Sequence, residues 1–390
     1  MNMPLEGITV VAIEQAVAAP YASSRLADAG ARVIKIERPD GDFARKYDTL
    51  VKGNSAYFVW LNRGKESICL NLKDNADLAV LKKIIAQADV LLQNLKPGSL
   101  QKMGLGHTVL RAENPRLITC NITGFGETGD YAHLKAYDLI VQAEAGLCSI
   151  TGTPDSAARV GVSVCDISAG MTAHSAILQA LFHRERTGEG CNIDISLFDS
   201  IADWMNVPYL QRTYGQRSTP RSGLHHPSLA PYGSYNCANG TDIIFSVQSD
   251  REWVDFCNMF LERPDLTRNP LFQDNMARLE NRVALDVIIA DHFSKLTSEE
   301  VMKTLEATGL AYGRLNDIDA LINHPHLRTT SVEVNGDSVS LIAPPQIYDN
   351  AKSNLNPVPR IGEHSDAIRA EFDTPTSEIH YNNSSDPQDI

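Results

Sequence analysis

The sequence predicts an α/β protein, with a parallel sheet in a large first domain and a smaller α+β domain after it. The first part of this prediction rests on short apolar strands that alternate with amphipathic helices over the first 121 residues. Such repeats imply a parallel sheet covered by helices on both faces. The second part rests on glycine and proline residues clustered between positions 215 and 233, which mark a boundary beyond which the pattern changes.

The strands of the large domain are predicted where short, mostly apolar stretches recur along the chain. We expect them at Thr9–Ile13, Arg32–Glu37, Ser67–Leu72, Asp89–Gln93, Arg116–Asn121 and Asn192–Leu197. Helical spacing of apolar residues predicts helices at Pro20–Ala29, Ala76–Ala88 and Phe198–Tyr209. Ligands of such sheets bind at the carboxyl ends of the strands.

Basic residues recur in or near the loops at these strand ends. They are Arg38, Lys73, Lys96, Lys102 and Lys135. Each one alone is typical of a solvated rim, but their recurrence at successive strand ends suggests a phosphate-bearing ligand across the top of the sheet. The sequence has no G-x-x-x-x-G-K-[ST] motif, and the glycine-rich loop at 124–129 is not the dinucleotide fingerprint.

The segment from Arg159 to Gly188 predicts a strand, a single acid and a helix. Valines alternate with small residues over 160–164, and apolar residues follow at helical spacing before Gly188. Asp166 is therefore expected at a strand–helix junction, either as an N-cap or as a nucleophile. The helix dipole favours its ionised form by roughly 0.3–1 kcal/mol, so we expect it to be charged at neutral pH.

The second half predicts paired strands and helices. A hairpin is expected from Tyr232–Tyr235 and Asp242–Val247, joined at Asn239-Gly240. Helical segments are expected near Arg251–Leu261, Ala277–Phe293 and Ser298–Thr308, and paired strands around Asn335-Gly336. The end of the chain, from Pro375, is polar and is expected to be disordered.

Composition excludes several classes of partner and site. The chain has 390 residues and a formal net charge of −13, which argues against nucleic acid or an acidic membrane as a partner. Seven cysteines are scattered without a C-x-x-C pair, which favours a reducing compartment and argues against a metal site. There is no signal peptide and no apolar run of about 18 residues, so we expect a cytoplasmic protein.

An ordered series of motifs resembles the class III CoA-transferases of the CaiB–BaiF type. The motifs are Val33–Pro39, Leu61–Lys65, Leu70–Lys73, Asn94–Gly98, Tyr137-Asp138, Arg186–Gly190 and Ile361–His364. The resemblance covers nearly the whole chain. It implies a homodimer of two chains interlocked like rings, each with a Rossmann-like large domain at 1–222, a small α+β domain at 223–328, a return to the large domain at 329–374 and a polar tail at 375–390.

The same resemblance implies the functional residues. Asp166 falls on the catalytic aspartate of the family. The positions that contact CoA fall on Val17, Ala18, Arg38, Leu70, Asn71, Lys73, Asn94, Leu95, Lys102 and Lys135. Val17 replaces a glutamine and Lys102 replaces an arginine of the oxalate-specific members, which puts the acceptor specificity in doubt. Lysine still binds phosphate, though without the bidentate fork of arginine.

The implied chemistry passes through covalent intermediates on Asp166. The carboxylate attacks an acyl-CoA, giving a mixed anhydride and then an aspartyl-CoA thioester, with water excluded. No further cofactor and no metal are expected. The oxyanion is expected to bind N–H groups at the start of the Asp166 helix or in a glycine loop, with Gly233 and Gly240 as candidates.

The segments around Tyr137–Gly152 and Asp199–Tyr214 resemble the branch that uses itaconate, mesaconate or citramalate, usually with succinyl-CoA as donor. A second carboxylate on the substrate requires a paired cation. Arg45, Arg63, His225 and His226 are the candidates, and Tyr137 and Asp138 are further candidates for the substrate pocket.

Four other functions are alternatives to this interpretation. An α-methylacyl-CoA racemase shares the fold, but it needs a histidine where this chain has Tyr137. A transferase for another acid, such as a formyl-CoA:oxalate enzyme, remains open. A nicotinamide-dependent oxidoreductase is disfavoured by the missing glycine fingerprint, and a non-catalytic CoA-binding protein would not explain an acid at position 166.

Overall fold

The structure, a computed structural model, describes residues 3–347 and 355–373. The chain forms two compact units. Within the described residues, the large unit takes in the chain up to Ala145, Gly161–Trp204 and the chain from Arg328 onwards; the small unit takes in Gly146–Val160 and Met205–Leu327. Relative to the predicted boundaries, 146–160 and 205–222 fall in the small unit. The predicted polar tail at 375–390 lies outside the described residues.

The regular elements are numbered in chain order. The strands are β1 (Thr9–Ile13), β2 (Arg32–Glu37), β3 (Lys65–Cys69), β4 (Val90–Gln93), β5 (Ile118–Thr123), β6 (Gly152–Thr153), β7 (Ser156–Ala157), β8 (Asn192–Ser196), β9 (Tyr232–Asn236), β10 (Asp242–Ser246), β11 (Ala311–Arg314), β12 (Thr329–Val334) and β13 (Asp337–Ile342). The α-helices are α1 (Ala18–Asp28), α2 (Ala56–Asn62), α3 (Asn75–Ala86), α4 (Ser99–Lys102), α5 (His107–Glu113), α6 (Asp138–Glu144), α7 (Leu147–Ile150), α8 (Val164–Thr187), α9 (Leu197–Trp204), α10 (Asn206–Gly215), α11 (Asp250–Asp255), α12 (Asn275–Glu280), α13 (Arg282–Phe293), α14 (Ser298–Thr308), α15 (Ile318–Ile322) and α16 (Ser365–Asp373).

The large unit is built on a six-stranded sheet in the order β3-β2-β1-β4-β5-β8. All of its pairings are parallel; for example, Val10 pairs with Val33 on one side and Val90 on the other. The prediction of a parallel α/β sheet is therefore confirmed. The strand order reverses between β1 and β4, and a crevice forms at such a switch point, beyond the carboxyl ends of the strands.

The returning C-terminal segment closes one edge of this unit. The His364 N–H donates to Ser67 O at 2.9 Å, and the Cys69 N–H donates to Ser365 Oγ at 3.0 Å. Arg32 forms ion pairs with Glu66 on β3 and with Glu371 on α16. These bonds tie α16 to β3 across almost 300 residues of sequence.

The small unit has its own sheet and core. Its antiparallel sheet has the order β11-β10-β9, and β9 pairs with β10 through the predicted hairpin. The core is aromatic, with Phe245, Phe256, Phe260 and Phe293 in mutual ring contact. Helix α14 begins with a capping box in which Thr297 and Glu300 exchange hydrogen bonds.

Three predicted elements are wrong, and one of them is the helix expected near Ala277–Phe293, which forms as α12 and α13 with Asn281 between them. No strand forms over 160–164; α8 begins at Val164 instead. The Val164 N–H donates to Val162 O at 2.8 Å, so the chain turns into the helix at this point and does not stay extended. The helix predicted over Phe198–Tyr209 is two helices, α9 and α10, which break at Met205. Pro208 lacks the N–H that would bond Trp204 O, so α9 cannot continue.

Candidate active site

The loops after β1 and β4 are fastened to each other at the switch point of the large sheet. The Gln15 N–H donates to Asn94 Oδ1 at 2.9 Å, and Asn94 Nδ2 donates to Gln15 O at 2.8 Å. Ala16 adopts the left-handed conformation with φ of 62°, a costly geometry for a residue with a Cβ. Its N–H donates to Asp42 Oδ1 at 3.2 Å, which fixes the turn into α1.

A cavity of 240 Å³ lies beside these loops at the carboxyl ends of β1, β2 and β3. Five of the predicted CoA-binding residues line it: Arg38, Leu70, Asn71, Lys73 and Leu95. Most of the surface is apolar, while Arg38 and Lys73 are exposed cations at its edge. This arrangement can hold a flat apolar group next to phosphate.

The remaining predicted CoA-binding residues lie outside the lining of this cavity. Asn94 is hydrogen-bonded to the lining residue Gln15, and Val17 and Ala18 are buried at the start of α1. Lys102 and Lys135 are exposed elsewhere on the large unit.

Beneath the cavity lies a buried charge cluster that the sequence reasoning missed. Lys35 Nζ contacts Asp42 Oδ2 at 3.0 Å and Glu14 Oε1 at 3.3 Å, and all three side chains are fully buried. Lys65 Nζ contacts the same Glu14 oxygen at 2.6 Å. The sequence does contain an indication of this cluster, because Lys35 interrupts the apolar strand Val33–Ile36. A lysine buried in a strand requires a carboxylate as its partner.

The protonation states of this cluster follow from burial and pairing. Burial opposes the charge on Glu14 but Lys65 and Lys35 outweigh it, so the Glu14 pKa is lowered. Burial also opposes the charge on Lys35, but Glu14 and Asp42 keep its pKa raised. For Lys65, burial wins against Glu14 and lowers the pKa to about 8. Glu14 and Asp42, which line the cavity, are thus neutralised by the buried lysines Lys35 and Lys65.

Asp166 lies in the first turn of α8, not at an N-cap. Ser163 occupies the N-cap position, and its side chain makes no capping hydrogen bond. The capping acceptor comes from α6: Asp138 Oδ1 receives the N–H groups of Cys165 at 2.7 Å and Asp166 at 3.3 Å. The N-cap interpretation of Asp166 is therefore wrong.

The expectation that Asp166 is fully charged at neutral pH is also wrong. Burial first, and then the negative charge of Asp138, raise the pKa of Asp166 to about 7. These two effects exceed the favourable helix dipole. Near neutral pH the group is therefore a mixture of protonated and ionised forms, and the ionised form is an unusually basic carboxylate.

The N–H groups at the start of α8 are not free to hold an oxyanion. The Val164 N–H donates to Val162 O at 2.8 Å, and the Ile167 N–H donates to Ser163 O at 2.9 Å. Those of residues 165 and 166 donate to Asp138. The expected oxyanion site at this helix start is therefore already occupied by protein acceptors.

Tyrosines from two other segments lie near Asp166. Burial first, and then the charges of Asp42 and Asp166, raise the pKa of Tyr47 to about 12. The Tyr47 ring meets the Tyr57 ring edge-on, with centroids 5.6 Å apart, and Tyr57 OH lies 3.5 Å from Ser163 Oγ. The sequence reasoning did not single out Tyr47 or Tyr57, whose ring contact places aromatic surface near the predicted nucleophile.

Close packing of α1 on α8 brings the β1–α1 loop to the Asp166 helix. Gly170 lies one turn after Asp166, and a Cβ placed on it would lie 2.6 Å from Ala18 O and 2.9 Å from Tyr21 Cβ. Only a glycine permits this approach. The predicted CoA contact Ala18 therefore lies close to the predicted nucleophile.

The two arginines proposed for the substrate carboxylate are already paired. Arg45 Nη2 contacts Glu37 Oε2 at 2.6 Å, and the guanidinium also donates to Pro359 O and stacks over Phe58. Arg63 is buried, pairs with Asp28 and donates to Trp60 O. Both side chains hold the large unit together, so neither is available to a ligand in this structure.

The other substrate-pocket candidates are divided between the units. Tyr137 is 65% exposed and precedes Asp138, whose oxygens are all engaged in hydrogen bonds. His225 and His226 belong to the small unit. Burial, the largest effect in each case, lowers the pKa of both histidines. The His226 ring stacks on Tyr232 with centroids 5.2 Å apart.

The glycines named for the oxyanion both lie in the small unit. The His225 ring fills the space beside Gly233, since a Cβ there would lie 2.0 Å from His225 Nδ1. Gly240 is in the β9–β10 turn, with φ of 77°, and a Cβ there would meet nothing within 4 Å.

Two further properties bear on ligands and location. In the part of the chain that the structure describes, no group of three or more His, Cys, Asp or Glu side chains is arranged to hold a metal ion. Over the same residues, every helix is too short or too polar to cross a bilayer.

The chain is similar to known proteins over nearly its full length. Residues 5–365 match the model of CoA-transferase family III. The chain is 33% identical to the acetyl-CoA:oxalate CoA-transferase of Acetobacter aceti, over 95% of this chain and 96% of that one. It is 34% identical to the succinate–glutarate CoA-transferase of Agrobacterium fabrum, over 95% and 96%. It is 33% identical to the succinyl-CoA:mesaconate CoA-transferase of Haloarcula marismortui, over 96% and 98%.

A solved structure has the same fold. A CaiB/BaiF family protein from Brucella suis superposes with a TM-score of 0.82 at 32% identity, covering 96% of this chain and 100% of that one.

Proposed function

The chain belongs to CoA-transferase family III and is an enzyme of the CoA-transferase type, and from this we propose that it moves CoA from succinyl-CoA to a C4 or C5 dicarboxylic acid. Itaconate, mesaconate and citramalate are the proposed acceptors. The observation that carries this proposal is that three relatives, each similar over at least 95% of both chains, are named for oxalate, glutarate and mesaconate, which are all dicarboxylic acids.

In the proposed mechanism Asp166 is the nucleophile. Its carboxylate attacks the thioester carbonyl of succinyl-CoA; a C–O bond forms, the C–S bond breaks, and CoA leaves as the thiolate. The thiolate then attacks the Asp166 carbonyl of the mixed anhydride, which releases succinate and leaves an aspartyl-CoA thioester. The acceptor acid reverses both steps, so the energy of the thioester is kept and no ATP is needed.

Several features of the large unit support this role for Asp166. Its raised pKa makes the ionised form more basic than an ordinary carboxylate, and its partial burial limits the access of water. The cavity lined by Arg38 and Lys73 accepts the nucleotide end of CoA. Lys102 and Lys135, exposed on the same unit, contact the remaining phosphate groups in this proposal.

The experiment combines a substrate panel with a nucleophile variant. Wild type is incubated with succinyl-CoA and, in turn, itaconate, mesaconate, citramalate, glutarate, oxalate and carnitine, and the CoA products are identified by mass spectrometry. Asp166→Ala should lower turnover by roughly 10⁴-fold or more, whereas Asp155→Ala, at an exposed turn, should leave it unchanged. Near-normal transfer by Asp166→Ala would reject the mechanism.

The panel also tests the substrate class separately. A pocket built for a second carboxylate rejects monocarboxylic acids strongly, because its buried partner would be left unpaired. Transfer to C4 and C5 dicarboxylic acids and not to carnitine is therefore expected. Transfer to oxalate alone would contradict the proposed acceptors, but it would not contradict the proposed role of Asp166 as the nucleophile.

The enzyme is proposed to work as a homodimer of interlocked chains in the cytoplasm. Large apolar side chains lie exposed on α8 and α9, among them Met171, Phe182 and Trp204, and a second copy of the chain would bury them. The seven cysteines are free thiols, as in a reducing compartment. Sedimentation should show a dimer at every concentration that retains activity; an active monomer would reject the interlocked form.

A further inference from the structure

The first turn of α8 has an unusual division of roles between two acids. An acid in the first turn of a helix can accept hydrogen bonds from the N–H groups that are left free there. Asp166 does not. Across the residues that the structure describes, its carboxylate accepts no hydrogen bond, and Asp138 on α6 receives the N–H groups of residues 165 and 166 instead.

Every N–H of that turn has an acceptor other than Asp166. Val164 donates to Val162 O and Ile167 donates to Ser163 O, and the two between them donate to Asp138 Oδ1. The second oxygen of Asp138 is also fixed, since Gln142 Nε2 donates to it at 2.6 Å. Asp138 is thus oriented from its own helix and holds the start of another.

From this geometry we propose that Asp138 is a positioning residue, which caps the α8 helix in place of Asp166 so that the Asp166 carboxylate stays unbonded and reactive. This inference rests on the proposed role of Asp166 as the nucleophile. A carboxylate bonded to its own helix N–H groups would be a weaker nucleophile, because those bonds would have to break before it attacked a thioester.

The charge of Asp138 has a second effect on the same group. A like charge held close by disfavours ionisation, so the ionised Asp166 binds a proton, and attacks a carbonyl, more strongly. The titratable groups that interact with Asp166 from neighbouring segments are Asp138 on α6 and Tyr47, which lies between β2 and α2. Tyr57 and Tyr137 interact in turn with Tyr47. Of these groups, only Asp138 raises the pKa of Asp166 through its charge.

Two substitutions separate capping from charge. Asp138→Asn keeps an oxygen that can accept the Cys165 and Asp166 N–H groups but removes the charge, whereas Asp138→Ala removes both. Glu144→Gln is the matched control, because Glu144 is an exposed acid at the other end of α6. Should Asp138→Ala fail to fold, Asp138→Asn still carries the test.

The first readout needs no substrate and so does not depend on the proposed function. The protonation of Asp166 is followed by infrared difference spectroscopy against Asp166→Asn in each background. Asp138→Asn should lower the apparent pKa of Asp166 by about one unit or more, and Glu144→Gln should not move it. An unchanged pKa in Asp138→Asn would overturn the role of the charge.

The second readout is the exchange of labelled succinate into succinyl-CoA, in which succinate is both the leaving acid and the acceptor, so it requires the nucleophile but no second kind of acid. We expect the plateau rate to fall about tenfold in Asp138→Asn and about 10²–10³-fold in Asp138→Ala, with the acid limb of the pH profile at lower pH in both. A role in folding alone would lower the yield of active protein without moving that limb. If Asp166→Asn keeps full exchange, the proposed mechanism fails, whatever Asp138 does to the pKa.

Discussion

The backbone N–H of Ala16 donates to Asp42 Oδ1 at 3.2 Å, which joins the left-handed turn after β1 to the buried charge cluster. The other oxygen of Asp42 receives Lys35 Nζ at 3.0 Å. One carboxylate therefore both neutralises a buried lysine and holds the loop that lines the cavity proposed for CoA.

Replacing Asp42 should destabilise the large unit. Asp42→Ala leaves Lys35 with Glu14 alone and removes the acceptor of the Ala16 N–H, so we expect the free energy of unfolding to fall by about 3–5 kcal/mol. Denaturation in urea measures the change. Asp40→Ala is the control, since Asp40 is exposed, and it should change stability by less than about 0.5 kcal/mol. Equal losses in the two variants would contradict the structural role of the cluster.

The contact between α1 and α8 gives a test of packing. Gly170→Ala places a Cβ 2.6 Å from Ala18 O, and we expect it to cost about 1–3 kcal/mol of stability through overpacking. The substitution should also lower activity, because the β1–α1 loop moves relative to Asp166. In Gly161→Ala the new Cβ meets nothing within 4 Å, so thermal unfolding should show no loss. A Gly170→Ala protein as stable as wild type would show that the helices can separate without cost.

Cations at the edge of the cavity should govern CoA affinity. Removing Lys73 or Arg38 takes one charged partner from the phosphate groups, and we expect the KM for the acyl-CoA to rise about tenfold while kcat stays nearly constant. The increase should shrink as salt is added. Lys52→Ala, an exposed lysine on the same unit that pairs with Asp337, serves as the control. Unaltered KM in both Lys73→Ala and Arg38→Ala would place CoA elsewhere.

The ionisation of Asp166 should lower stability at high pH. Its folded pKa of about 7 lies above the ordinary value of 3.8, so the folded state binds the proton more tightly than the unfolded state between these two values. The penalty is therefore complete above about pH 7 and disappears as the pH falls towards 4.

Asp166→Asn removes this penalty. At pH 8 we expect the variant to exceed wild type in free energy of unfolding by about 1–3 kcal/mol, and to lose the advantage near pH 4. Urea denaturation at a series of pH values measures it, with Asp155→Asn, at an exposed turn, as the control. A constant difference across that range would mean that the Asp166 carboxyl titrates at an ordinary pKa.

Features that depend on neighbouring residues could be predicted from the order of the amino acids. Apolar runs fixed the first two strands of the large sheet to the residue, at Thr9–Ile13 and Arg32–Glu37. Asn-Gly pairs located both hairpin turns, at Asn239 and Asn335. Motif order identified the family. Periodicity and turn chemistry are local, so a single chain read in order reveals them.

Which charged groups contact each other became known from the folded chain alone. Asp138 caps the helix of Asp166 although it lies 28 residues earlier in the chain. Lys65 contacts Glu14, which is 51 residues away in sequence. Arg45 and Arg63 are both engaged in ion pairs within the large unit. The sequence reasoning offered both arginines as ligands for a substrate and gave Asp166 an ordinary ionised state. The reason for these errors is physical: a pKa and a salt bridge depend on burial and on which partner lies within a few ångströms, and chain order does not contain either quantity.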